Sequence, residues 1–307
     1  MSNRVVILGS INVDNILHIQ ALPKPGETIE MADFSKAAGG KGANQAIAAV
    51  RSGAQTTFIG KIGNDSNGQM MLTALKKDNI NTENIGIAKA QTGQAYILLV
   101  ASGQNSIIIQ HGANFELTPT DVQQAREAIV AADFVVAQAE TPLDVAEEAF
   151  KIAHEAGKRT ILNPAPAHQN LPKSLLAETD IIIPNETEST VITGIPVTDD
   201  ISTYRENAEF YHRLGIAGVI ITLGSAGSYV SAKQIQQQVP AFKVKAVDTT
   251  AAGDTFIGAL SAVLQPDLAN LVAAATYASR ASSLTVQHLG AFPSIPVRAA
   301  VVKALNN

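Results

Sequence analysis

The sequence predicts an α/β fold: a three-layer α/β/α sandwich with a mainly parallel central sheet and a small protruding β-sheet lid. Three observations carry this expectation. Short runs rich in Val, Ile and Leu alternate with longer stretches of helical period, the pattern of βαβ units whose helices cover both faces of a parallel sheet. Two segments, 11–38 and 93–113, break the alternation as extended chain with turn signals. A hydrophobic share of 46% against 16% charged residues supplies a sizeable core for 307 residues.

In chain order, Val5–Gly9 is a β-branched apolar run ending in a turn residue, and reads as a buried first strand. Ala43–Ser52 is a helix of small apolar residues, followed by the strand Thr56–Gly60. Gly68–Asp78 reads as a helix because Met71, Leu72 and Leu75 share one apolar face. The helices Pro119–Ala131 and Leu143–Ala156 carry the start signals Thr118–Pro119 and Thr141–Pro142, a capping residue before a first-turn proline. Between and after them lie the strands Phe134–Ala137 and Thr160–Asn163. Strand Ile181–Pro184 runs into helix Glu186–Thr193, and helix Ser202–Leu214 into strand Gly218–Leu223. Two further helices, Asp254–Val263 and Leu268–Leu284, complete the series. In the lid, Tyr96–Val100 and Ser106–Gln110 flank Ser102–Gly103, a hairpin centre. Without internal repeats or a flexible linker, 1–307 reads as one domain with lid segments around 11–38 and 93–113.

Composition excludes several function classes. Lys+Arg 22 against Asp+Glu 27 gives −5, so no basic excess exists for a nucleic-acid backbone or an anionic membrane. No stretch reaches the ~18 apolar residues that span a bilayer; the nearest, 268–285, is interrupted by Tyr277, Arg280 and serines. The apolar run at the N-terminus is too short for a signal-peptide core. The absence of cysteine excludes a disulfide scaffold, thiol catalysis and cysteine-ligated metal, and suits a cytoplasmic location. The histidines (His18, His111, His154, His168, His212 and His288) lack ligand spacing, so no zinc site is expected. A Gly-x-Ser-x-Gly elbow is missing, and so is the Gly-x-Gly-x-x-Gly that a dinucleotide oxidoreductase would need after Leu8.

Five segments carry candidate chemistry. Asp248–Phe256, reading Asp-Thr-Thr-Ala-Ala-Gly-Asp-Thr-Phe, sets Ala251, Ala252 and Gly253 at a helix N-terminus, where free amides and the helix dipole favour an anion. Asp254 then stands beside that anion as a candidate base for a phosphotransferase, or simply as an acid stabilising the first turn. Ala38–Ala46 contains Gly39–Gly40–Lys41–Gly42 running into a helix with Asn44 in its first turn. It is not a P-loop, and suits sugar hydroxyls or a plain turn. Asn12 and Asp14, two apart on extended chain, suit a vicinal diol or a strand-ending turn. Asn185–Glu188 has capping-box spacing that also suits water around a phosphate-bound Mg²⁺, and Thr222–Gly227 ends a strand in a glycine turn fit for a nucleotide phosphate.

Taken together, Gly9–Asp14, Gly39–Ala46 and Asp248–Phe256, with Asn163–Ala167, Pro184–Glu188 and Ile221–Ser225 between them, resemble the ribokinase (PfkB) family of carbohydrate kinases over essentially the whole chain. The resemblance implies a ribokinase-like fold and ATP-dependent phosphorylation of D-ribose at its 5-hydroxyl. It implies Asp254 as base and Ala251, Ala252 and Gly253 as anion hole. Asn12, Asp14, Gly40, Lys41, Asn44 and Glu140 match sugar-binding positions. Asn185, Thr222, Gly224, Ser225, Gly227, Gly253 and Ser279 match the nucleotide side, and Glu188 an element associated with Mg²⁺. Asp248, Thr250, Thr285, His288, Gly290 and Ser294 match a loop for a monovalent cation, K⁺, formed partly by backbone carbonyls. The resemblance also implies a homodimer paired through the lid. Left open are another sugar or nucleoside acceptor (deoxyribose, fructose, adenosine) and a silent sugar-binding regulator, which would be expected to have lost Asp254.

Overall fold

The computed structural model describes residues 2–100, 104–233 and 235–306. It begins with β1 (Arg4–Leu8), β2 (Asn12–Ile19), β3 (Asp33–Gly39), α1 (Lys41–Arg51), β4 (Gln55–Gly63), α2 (Ser66–Lys77), β5 (Asn81–Ala88), β6 (Gly93–Val100) and β7 (Asn105–Gln110). Next come α3 (Pro119–Gln124), α4 (Arg126–Ala131), β8 (Phe134–Gln138), α5 (Leu143–Glu155), β9 (Arg159–Asn163), α6 (Lys173–Ala177), β10 (Ile181–Ile182) and α7 (Glu186–Thr193). The series ends with α8 (Ile201–Arg213), β11 (Gly218–Thr222), β12 (Ser228–Ala232), β13 (Ile235–Val239), α9 (Ala252–Val263), α10 (Leu271–Thr285) and α11 (Arg298–Leu305).

The main sheet has nine strands in the order β13-β12-β11-β10-β9-β8-β1-β4-β5. It is parallel from β5 to β11, and β12 and β13 add an antiparallel edge. Its central strands are apolar on successive residues because both faces are covered. Val5, Ile7 and Val136 pack with residues of α1, α9 and α10, whereas Val6, Leu8 and Val135 pack with residues of α5 and α8. The helix layer on the first face is tight where it matters for the site. A Cβ on Gly258 of α9 would lie 2.6 Å from Ala48 Cβ and 2.9 Å from Ala49 N of α1, so only glycine permits this approach. One turn back, the same contact faces Asn44 and Gln45 with Asp254.

The second sheet, β3-β2-β6-β7, is the lid. β2 pairs parallel with β6 and antiparallel with β3, and β7 closes the far edge. The expected hairpin centre at Ser102–Gly103 lies outside the described residues. Among the described residues, no helix is long and apolar enough to cross a membrane.

Several boundaries differ from the sequence reading. Pro119–Ala131 is two short helices meeting at Ala125, whose φ of −90° and ψ of 8° depart from helical values. The Thr118 capping box is present, but at Thr141–Pro142 the extended Pro142 is itself the N-cap, with no side-chain cap. Leu268 has φ +63°, so α10 starts only at Leu271. β10 is shorter than Ile181–Pro184. β5, β12, β13, α6 and α11 had no expectation. β13 reads Ile-Gln-Gln-Gln-Val, an exposed edge strand without the apolar run that marks a strand in sequence.

Candidate active site

The residues expected on the sugar side gather where β1 leads into β2 and where α1 begins. Gly40, the N-cap of α1, has φ 93°, and a Cβ there would lie 2.7 Å from Asn12 N and 2.9 Å from Ser10 O. Glycine is therefore required by both backbone angle and space. Asn12 is buried, and its Oδ1 accepts from Asn114 Nδ2 at 2.8 Å. This occupies the Asn12 carbonyl oxygen, so the amide keeps its N–H donors for a ligand. Glu140, also buried, accepts from Ser10 Oγ at 2.5 Å and from Lys41 N at 3.2 Å. Asp14 stands two residues beyond Asn12, on the same side of β2.

The centre of the site is Asp254 in the first turn of α9. Its Oδ2 accepts from Asn44 Nδ2 at 2.9 Å and its Oδ1 from Gln45 Nε2 at 3.1 Å. The N-cap, Ala251, is held at φ 59°, a left-handed conformation that costs an alanine about 1 kcal/mol. No side chain caps this helix, and a Cβ at Gly253 would meet nothing within 4 Å, so the first-turn amides are approachable. They open on a cleft lined by Lys41, Asn163, Ala165, Ile183, Asn185, Glu188, Thr222, Thr249, Ala251, Ala252, Gly253, Asp254 and Ile257.

Four carboxylates and one ammonium set the electrostatics here. Burial, with the nearby charges of Glu140 and Asp254, pushes Asp14 up to about 7. Burial also raises Asp254, against the lowering effect of Lys41, Asn44 and Gln45. Glu188 is raised by burial too. For Lys41, burial works against the ammonium, but Asp254, Glu140 and Glu188 outweigh it and raise its pKa. The arrangement suits a ligand with hydroxyls at the carboxylates and an anion at the amides.

On the other wall, Asn185 and Glu188 form a reciprocal capping box at the start of α7. Asn185 N and Nδ2 each donate to Glu188 at 2.9 Å, and Glu188 N donates to Asn185 Oδ1 at 2.8 Å. Asn185 also bridges to Thr222 at the end of β11. Gly224, Ser225 and Gly227 form a tight turn just beyond Thr222, and Ser279 is buried on α10; none of these four lines the cleft. Asp248 Oδ1 accepts from Thr250 N at 2.9 Å and Oγ1 at 2.7 Å, and its Oδ2 from Gly290 N at 2.8 Å, so two segments of the expected cation loop meet. The Thr285 hydroxyl donates to Thr255, Ser294 donates to Ala291 O, and the His288 side chain is exposed.

The model of the pfkB family of carbohydrate kinases matches residues 2–298. The chain belongs to that family. It is 50% identical to the bifunctional ribokinase/ribose-5-phosphate isomerase A of Fructilactobacillus sanfranciscensis, covering 99% of this chain and 56% of that protein. Thus it spans little more than half of that relative. It is also 50% identical to a ribokinase of Staphylococcus aureus, over 97% of this chain and 98% of that one. Among solved structures, the Arabidopsis thaliana ribokinase complexed with ribose and ATP superposes with a TM-score of 0.88 at 34% identity, covering 100% of both chains.

Within this pfkB-family site, sequence reasoning left out several residues that the fold brings in. Gln45 and Asn163 lay inside quoted segments but carried no role, although both bond at the centre of the site. Asn114 and Gln138 had no local signal. Each acts on a residue about a hundred positions away, a pairing visible only once the sheet is assembled.

Proposed function

We propose that the protein transfers the γ-phosphoryl group of ATP to the 5-hydroxyl of D-ribose, giving D-ribose 5-phosphate and ADP. The observation that carries this is Asp254 held by two amide donors beside the uncapped N-terminus of α9, with Asn12 and Asp14 approaching from the lid and Glu140 from beyond β8. Ribokinases identical at 50% across nearly the full chain, and the neighbour that binds ribose and ATP, support ribose as acceptor.

Phosphoryl transfer asks for in-line positioning and charge stabilisation more than covalent chemistry. Asp14, Asn12, Lys41 and Glu140 bind and orient the sugar. Asp254 accepts the proton of the attacking hydroxyl, and the amides of Ala252 and Gly253 stabilise charge on the moving group. Asn185, Thr222, Gly224, Ser225, Gly227 and Ser279 form the nucleotide side. Mg²⁺, when bound to the phosphates, supplies charge neutralisation. Among the described residues no cluster of His, Asp and Glu could chelate it alone, so Glu188, pinned by Asn185, suits its water shell. K⁺ suits the loop of Asp248, Thr250, Thr285, His288, Gly290 and Ser294.

The chain works as one domain, in the cytoplasm, with the lid excluding water from the reaction. The lid also forms a homodimer. Ile108 and Phe34 are 61% and 44% exposed on one face of it, and Ile107 and Ile109 54% and 40% exposed on the face that carries Asp14, apolar area that a second copy would cover. Sedimentation at twice the chain mass is the expected result, and a monomer at micromolar concentration would overturn the pairing.

An ATP-coupled assay over ribose, deoxyribose, fructose, adenosine and fructose 6-phosphate tests the substrate. Ribose should give the highest kcat/KM, with activity falling when K⁺ is exchanged for tetramethylammonium. Turnover of another acceptor without ribose turnover would overturn the assignment, and indifference to the exchange would overturn the K⁺ loop.

A further inference from the structure

Asp254 is the end of a chain of side-chain amides that starts in the central sheet. Gln138, on β8, donates through Nε2 to Gln45 Oε1 at 2.8 Å. Gln45, on α1, donates through its own Nε2 to Asp254 Oδ1 at 3.1 Å and to Asn163 Oδ1, on β9, at 3.2 Å. Asn163 in turn donates through Nδ2 to Ile183 O at 3.1 Å. Gln45 and Gln138 are fully buried. Gln45 and Asn163 use both ends of their amides, which dictates their orientation. The Gln45 oxygen is occupied by Gln138, so only its nitrogen can face Asp254.

A buried core glutamine usually serves structure, but this one points its donor at the carboxylate that faces the cleft. We infer that Gln45 is a positioning residue for the phosphoryl-transfer base, and that Gln138 and Asn163 set its direction. Gln45 holds Asp254 in one rotamer and favours the ionised carboxylate, the form able to accept a proton. The inference rests on Asp254 being that base.

The charged groups around Asp254 are Lys41 on α1, Glu140 beyond β8, Asp14 on β2 and Glu188 on α7. Burial and the acids oppose the carboxylate, and Lys41, followed by the two amides, favours it. Asn44 reaches Oδ2, and Gln45, held by Gln138 and Asn163 of the sheet, reaches Oδ1. A hydrogen bond to a charged acceptor is a strong one, and its loss raises a carboxyl pKa by about one unit.

The test compares wild type with Gln45→Met, which keeps volume and removes the donor, and with Gln138→Met, which frees the Gln45 amide to turn. The readouts are pH profiles of kcat/KM for ribose and the KM for ATP. Gln45→Met is expected to move the acidic limb up by about one pH unit and to lower kcat more than tenfold, with the KM for ATP unchanged. Gln138→Met should give a smaller shift in the same direction, and keeps the test available if Gln45→Met fails to fold. Profiles superimposable on wild type in either folded variant would overturn the inference. Asp254→Asn, run in parallel, separates the layers. Activity retained in Asp254→Asn refutes the base itself, whereas an inactive Asp254→Asn with unshifted amide variants refutes only the positioning role.

Discussion

A carboxylate buried as deeply as Asp254 is costly to ionise, and burial does raise it. It is kept for what it touches: two amide donors on one side and the open first turn of α9 on the other. Asp254→Asn preserves size and one of the two acceptor oxygens yet cannot take a proton. We expect kcat to fall by about 10²–10⁴ with ribose binding retained, measured by steady-state kinetics and calorimetry. Near-normal kcat would remove the base from the mechanism. Asp254, Lys41 and Gly40 were legible in the sequence because glycine density and a lone acid after Ala-Ala-Gly are local patterns. Glu140 was identified only by resemblance. Its bonds to Ser10 and Lys41 N span 130 and 99 positions, and nothing in its immediate neighbours marks it.

The α7 start shows how one short motif supports both structure and chemistry. Asn185 satisfies Glu188 N, and Glu188 satisfies Asn185 N, two of the amides that a helix start leaves unpaired. Asn185→Ala removes that cap and should cost about 1 kcal/mol, measured by denaturant unfolding. It also releases Glu188 from the 2.9 Å bond made by Nδ2, so the carboxylate loses its orientation toward the cleft. The KM for ATP with Mg²⁺ should then rise severalfold in steady-state assays. A stability loss with unchanged KM would reduce the motif to a cap. Elements of this kind are readable because capping chemistry is confined to four residues. β13 and α6 were not readable: the first is polar along an edge, and the second is only five residues, too short for a helical period.

Across the molecule, the three-layer sandwich and the lid were legible from alternation and its two interruptions, because apolar runs report burial on both sheet faces. How the lid and sheet together bring Asp14, Glu140 and Asp254 within range of one another was not, since that follows from tertiary approach alone. This approach has a thermodynamic consequence. Asp14 is raised from 3.8 to about 7 in the folded protein, first by burial and then by Glu140 and Asp254. The folded state therefore holds this proton more tightly than the unfolded chain does. Its contribution to stability is fully present below about pH 4 and is lost as pH rises through about 7. Above that pH the folded protein carries a buried, ionised Asp14 at a cost of a few kcal/mol. Asp14→Asn removes the cost. The variant should melt at a higher temperature than wild type at pH 8, with the gap narrowing at pH 5, in a pH series of thermal unfolding. A gap independent of pH would show that Asp14 titrates normally. The same variant should lose most of its affinity for ribose, because in the proposed mechanism this carboxylate is the acceptor offered to the sugar hydroxyls. Stability gained with binding lost would mark Asp14 as a residue kept for its ligand at the expense of the fold.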